Sequence, residues 1–169
     1  MKTSNEEEKR YAELQLMALD FAREGNTKEL EKMINYVMSV NLSTLKDDSL
    51  LMLASYNGNI ETTKMLIKSG ANIDQMNQRG QTPLEGVCFK GNLELVKLLI
   101  ESGACFEGKP IIYASMFGHK DIVKYLHEKG MGKKSLKNLC INTITLVAVS
   151  IKKLLKLFSL SDKSHQTIQ

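Results

Sequence analysis

The sequence predicts an all-α solenoid of helix-turn-helix units, with short hairpin fingers between units and helical caps at both ends. Three observations predict it. Leu53–Asp74 and Gly86–Glu107 align after a shift of 33 residues in a chain of 169. Apolar side chains recur at helical spacing within each copy, and each run stops at a glycine. No run is long enough to bury its apolar stripe alone, so neighbouring units must stack.

The elements follow in order. Residues 1–13, charged and polar, are expected to form an N-terminal helical cap, and residues 14–130 to form four units at 14–46, 47–79, 80–106 and 107–130. In the second unit Leu50, Leu51, Leu53 and Ala54 make a short apolar helix that Asn57-Gly58 breaks, because glycine takes the left-handed turn that a Cβ resists. Ile60, Thr63, Met65, Leu66 and Ile67 then make the returning helix, which Ser69-Gly70 ends. Asn72 to Gln81 is too polar for a core and is expected to extend as a finger. The third unit repeats the pattern with Gly91, Leu93 and Leu98 to Ile100. The fourth places Gly118 and Gly130 twelve apart, as Gly58 and Gly70 are, but Gly118 follows Gly91 by only 27, so this unit lacks most of its finger. The first unit is the weakest copy, with Gly25, Leu30, Met33 and Ile34 in register.

These residues resemble the ankyrin repeat family. Its TPL start is matched by Thr82-Pro83-Leu84, its Gly-His turn by Gly118-His119, and its Ser-Gly-Ala ending by Ser69 to Ala71 and Ser102 to Ala104. The resemblance covers about residues 14 to 130, and Leu50–Gly58 with Arg79–Gly91 is particularly similar to small bacterial members. It implies a structural His119 that ties its turn to neighbouring backbone. It also implies a concave groove into which the two residues before each Gly turn point: Arg23-Glu24, Tyr56-Asn57, Phe89-Lys90 and Met116-Phe117. Lys46, Asp48, Gln78, Arg79 and Gln81 on the fingers would form its polar rim.

Composition sets the function classes aside in turn. Hydrophobic residues make up 43% of the chain and charged ones 25%, which is ordinary for a globular protein, and a formal charge of +4 does not make nucleic acid the default partner. Cys88, Cys105 and Cys140 are odd in number and at least seventeen apart, so neither a disulfide framework nor a CxxC motif can be written, and a reducing cytoplasm fits best. The acidic, polar N-terminus does not read as an export signal. Leu139 to Ile151, thirteen residues, is too short to cross a bilayer, which takes about 20. Gly130-Met131-Gly132-Lys133-Lys134-Ser135 lacks the spacing of a phosphate-binding loop. His119 and His127 are eight apart, not at a zinc-ligand spacing. No base flanks Cys88 to lower its thiol pKa, so packing suits it better than reactivity. Glu61, Glu94 and Asp121 begin the returning helices, where a carboxylate complements the helix dipole. No catalytic group, metal or cofactor is expected.

Function is therefore expected to reside in a surface. Tyr56, Phe89, Met116 and Phe117 give three consecutive units a large apolar group in the implied groove, where aromatic anchors dominate binding energy. The competing expectation is their partial burial against the next unit. The reading is of a non-enzymatic, monomeric bacterial protein of the cytoplasm that binds another protein. Resemblance to small bacterial members adds a haem enzyme such as catalase as a candidate partner. A membrane surface is the other alternative, because residues 131–169 hold seven lysines against one acid, Asp162. Val147, Ile151, Leu154, Leu155 and Phe158 fall on one helical face of that segment and Lys152, Lys153 and Lys156 on the other. Residues 131–160 are expected to close the stack as a helical cap, and residues 161–169 to be disordered.

Overall fold

Eight helices are present in the computed structural model, which describes residues 2–106 and 109–130; the expectations for residues 131–160 and 161–169 lie outside the described residues. In order they are α1 (Lys2–Glu24), α2 (Thr27–Tyr36), α3 (Leu50–Tyr56), α4 (Ile60–Lys68), α5 (Pro83–Lys90), α6 (Leu93–Glu101), α7 (Pro110–Met116) and α8 (Lys120–Glu128). They pair as α1/α2, α3/α4, α5/α6 and α7/α8. The first members pack in succession, α1 on α3 on α5 on α7, while α2 packs on α4 and α6 on α8 as a second layer.

Local chemistry starts and stops these helices. Ser49 Oγ accepts from Met52 N at 3.2 Å, Thr82 Oγ1 from Glu85 N at 3.3 Å and Asn92 Oδ1 from Leu95 N at 3.1 Å, each satisfying an amide that the helix itself cannot. Pro83 and Pro110 occupy first helical positions, where a missing N–H costs nothing. At the ends of α4 and α6 the Ser-Gly-Ala motif closes the last turn. Gly70 N donates to Ile67 O and Ala71 N to Leu66 O, and Gly103 N and Ala104 N do the same to Ile100 O and Leu99 O. Glu61, Glu94 and Asp121 stand in the first turns of α4, α6 and α8, as the dipole argument requires.

The core lies between the layers. Leu19, Leu30, Leu50, Leu51 and Leu66 are buried in its first part, and Leu84, Val87, Cys88, Leu95, Leu99, Ile122 and Leu126 are buried further along the stack. Burying a side chain of this kind is worth roughly 1.5–3 kcal/mol, so each unit is stabilised mainly by what its neighbours cover.

One local expectation changes. Residues 1–13 are not a separate cap, because α1 runs unbroken from Lys2 to Glu24, with no glycine or proline along that length to interrupt it. The fingers are short hydrogen-bonded hairpin turns, as expected: Thr44 N donates to Asp48 O and Asn77 N to Gln81 O, and among the described residues the β pairing is the isolated antiparallel Ser43–Ser49 bridge. The shortened fourth finger is also as expected: Lys109 immediately precedes α7 and sends Nζ back to Gly80 O at 3.3 Å.

Candidate protein-binding groove

The residues before the Gly turns of α3, α5 and α7 meet along one face. Tyr56 and Phe89 are stacked, with ring centroids 6.2 Å apart and planes 15° from parallel. Phe89 meets Phe117 edge to face at 4.4 Å, at the close limit for aromatic pairs, while the Tyr56–Phe89 pair lies well within their usual range. Lys90 Nζ lies 4.9 Å from the Tyr56 ring centroid, in cation–π range. Tyr56 is 39% exposed and Phe117 47%, whereas Phe89 between them is half-buried. The competing expectation of partial burial thus holds for all three rings, most of all for the central one, while the outer two keep part of their surface open.

A cleft of about 290 Å3 opens beside this stack. Tyr56 and Phe89 wall it, Met52, Leu53 and Gly86 line it, and Asp48, Arg79, Gln81 and Thr82 edge it. Gly86 matters for its missing side chain, since a Cβ there would stand 3.3 Å from Tyr56 Cδ2. In the preceding unit the same register position is Leu53, so the units present alternate filled and empty positions to the cleft.

The remaining expected groove residues divide. Asn57 does not reach outward: its Nδ2 donates to Leu53 O at 2.8 Å, closing its own helix. Gln78 links fingers, donating through Nε2 to Leu45 O at 2.7 Å and through its amide to Lys46 O. Met116 is 66% exposed but lies outside the cleft. Lys46 borders a second cleft of about 620 Å3, where Leu16, Leu19, Leu42 and Leu45 face Arg23 and Asp48. Arg23 is paired with Asp20, and Glu24 accepts from Asn26 Nδ2.

Sequence reasoning missed Asn77, the organiser of the rim. It is buried, and its Nδ2 donates to Asp48 Oδ1 at 2.8 Å while its Oδ1 accepts from the Arg79 and Gln81 amides. A buried amide with both ends used fixes the finger and, through Asp48, ties it to the preceding one. The available signal was Asn at the head of a five-residue turn holding Gly80. Gln81 is fixed from the other side by Nε2 donating to Tyr113 Oη at 3.2 Å.

His119 performs the structural role that the resemblance implied. Its Nε2 lies 2.9 Å from Phe89 O, which anchors the end of α5 directly under the aromatic stack. Cys88 is buried and its thiol is pushed up to about 12 by desolvation, with Glu85 adding to the shift, so a thiolate is not on offer at neutral pH. Glu85 is also buried, leaves Oε2 without a partner, and has its carboxyl raised by desolvation, against which Lys109 and the Thr82 backbone act. Among the described residues no group of three His, Cys, Asp or Glu side chains converges as a metal would require, and no helix is long and apolar enough to cross a membrane.

Two-helix units stacked in two layers, the second and third closed by Ser-Gly-Ala, with turned fingers between units, define a helical repeat protein. A family model described as ankyrin repeats, in three copies, matches residues 51–138, just over half of the chain. The chain belongs to the ankyrin repeat family. It is 46% identical over 46 residues to an ankyrin repeat protein of Pseudomonas aeruginosa, covering 27% of each chain. It is 35% identical over 75 residues to protein phosphatase 1 regulatory subunit 27 of Homo sapiens, covering 43% of this chain and 48% of that one. The human ASB11 ankyrin repeat domain superimposes with a TM-score of 0.63 at 28% identity, covering 68% of this chain and 54% of that one. The alignments thus span from about a quarter to just over half the length of these proteins. Ankyrin repeats generally mediate protein–protein interaction and are generally non-catalytic.

Proposed function

We propose that this chain binds another protein in its concave groove, without catalysis, using Tyr56, Phe89, Phe117 and Met116 as anchors and Lys46, Asp48, Arg79 and Gln81 as the rim. The observation that carries the reading is the aromatic stack: three rings at the ends of α3, α5 and α7, the outer two partly open to solvent, bordering a cleft that the side chains of α3 and α5 leave unfilled. Burying such rings contributes most of the affinity in typical interfaces, often 2 kcal/mol or more for each anchor. The regulatory-subunit relative, by its name, is a protein that acts through another protein, which is consistent with this use of the groove. The reading includes a monomer in the bacterial cytoplasm. The membrane alternative rests on residues outside the described ones, and the haem-enzyme alternative on resemblance, so the groove is the better-supported site.

The test is capture from a bacterial lysate with wild-type bait beside the Tyr56→Ala/Phe89→Ala double variant, after matching both for helicity and melting temperature. A partner retained only by wild type supports the groove. Equal capture by both baits would move the site elsewhere on the chain.

A further inference from the structure

The groove is apolar at its floor and has more cations than anions around it, and the two properties together select a kind of ligand. Asp48 lines the cleft beside Arg79 and keeps its charge, while Lys46 and Lys90 stand just outside it. The acidic side chains along this face are already engaged. Asp48 accepts from Asn77 Nδ2 at 2.8 Å, Glu24 accepts from Asn26 Nδ2 at 2.8 Å, and Asp20 is paired with Arg23. Glu85 is buried, and Asp47 is exposed at a finger tip outside the cleft. The cations differ. Among the described residues Lys46, Arg79 and Lys90 form no ion pair, although all three are exposed, and Lys90 instead lies over the Tyr56 ring. Lys46 and Arg79 stand at corresponding places on successive fingers, 33 residues apart, and Lys109 reaches the base of the Arg79 turn through Gly80 O.

We propose that the cleft recognises an acidic linear segment of another protein, which inserts one leucine-sized or aromatic side chain between Tyr56 and Phe89 and sets flanking carboxylates against Lys46, Arg79 and Lys90. This deepens the groove-binding reading and rests on it. The cleft, at about 290 Å3, is at the small end of ligand pockets, so it suits a single side chain better than a folded surface. The planar Arg79 guanidinium suits a carboxylate, which it can hold with two parallel hydrogen bonds. A basic segment would make the same apolar contacts but set like charges against the margin, which disfavours it strongly. Apolar surface continues past Asp48 into the second cleft, where Leu16 and Leu42 lie beside Lys46, and Arg23 is already paired with Asp20. An extended acidic segment can therefore keep one favourable contact, with Lys46, on leaving the first cleft.

The test is selection from a random twelve-residue peptide library on the immobilised full chain, followed by fluorescence anisotropy of the enriched peptides. The expected peptides carry net negative charge around a leucine, phenylalanine or tryptophan. Their affinity should fall at least tenfold with Arg79→Glu and with Tyr56→Ala, and several-fold when salt is raised from about 50 to about 300 mM. Arg79 is exposed, so its substitution separates binding from folding. Neutral or basic peptides that still lose binding with Tyr56→Ala would overturn the acidic ligand and leave the groove standing. Peptides indifferent to both variants would overturn the groove as well. No enrichment would overturn recognition of a linear segment, while lysate capture continues to test the groove.

Discussion

The second and third units share a backbone while differing in side chains, and the differences fall where one unit meets another. Ser49 and Thr82 cap α3 and α5 in the same way, Gly58 and Gly91 both have φ of 85°, and the Ser-Gly-Ala endings make the same pair of bonds. The asparagines that follow the glycines diverge. Asn59 reaches back to the carbonyls of Ala22 and Arg23, at 3.0 and 2.8 Å, whereas Asn92 caps its own helix, and His119 makes the backward link for the fourth unit. The same residue type at the same register thus serves either its own unit or the one before. What decides is which neighbouring carbonyl lies within reach.

Gly91 breaks the comparison most sharply. A Cβ on Gly91 would stand 2.3 Å from His119 Cε1, whereas one on Gly58 would meet Asn92 Nδ2 at 3.9 Å. Gly58→Ala should cost only the left-handed strain, about 1 kcal/mol. Gly91→Ala should also displace His119 from Phe89 O and cost about 2–3 kcal/mol. Urea denaturation of both variants checks this, and equal losses would mean that the His119 link adds nothing.

Met52 and Glu85 occupy equivalent places, both buried, and only the second carries charge. Burial raises the Glu85 carboxyl, so its protonated form suits the fold better. Its favourable contribution is present below the ordinary carboxylate range and is lost as pH rises through the raised value. Glu85→Gln should therefore raise stability at pH 7 by on the order of 1 kcal/mol or less, with the gain vanishing near pH 4. Melting temperatures across that range measure it, and a loss at pH 7 would assign the carboxylate a stabilising partner.

The smallest contrast lies at the finger tips. Asp47 has φ of 61° where the next finger has Gly80 at 65°. Asp47→Gly should gain about 0.5 kcal/mol and Gly80→Asp lose about as much, since glycine relieves the strain but has more backbone freedom to lose on folding. Opposite shifts in the denaturation midpoint would sharpen the equivalence of the two turns, whereas shifts of the same sign would break it.

Much of this molecule was legible in its sequence. The 33-residue shift, the Gly turns and the Ser-Gly-Ala endings specify local geometry through contacts within a few residues, so periodicity alone gave the helix pairs and their order. The positions of Tyr56, Phe89 and Phe117 before their turns were likewise readable. Their mutual stacking, the cleft that Gly86 leaves open and the Asn77–Asp48 link were decided only in the tertiary structure. The reason is physical. A cap or a turn is fixed by covalent neighbours, but whether an asparagine reaches out or folds back, and whether a ring stays open to a partner, depends on atoms about thirty residues away that only stacking brings within reach.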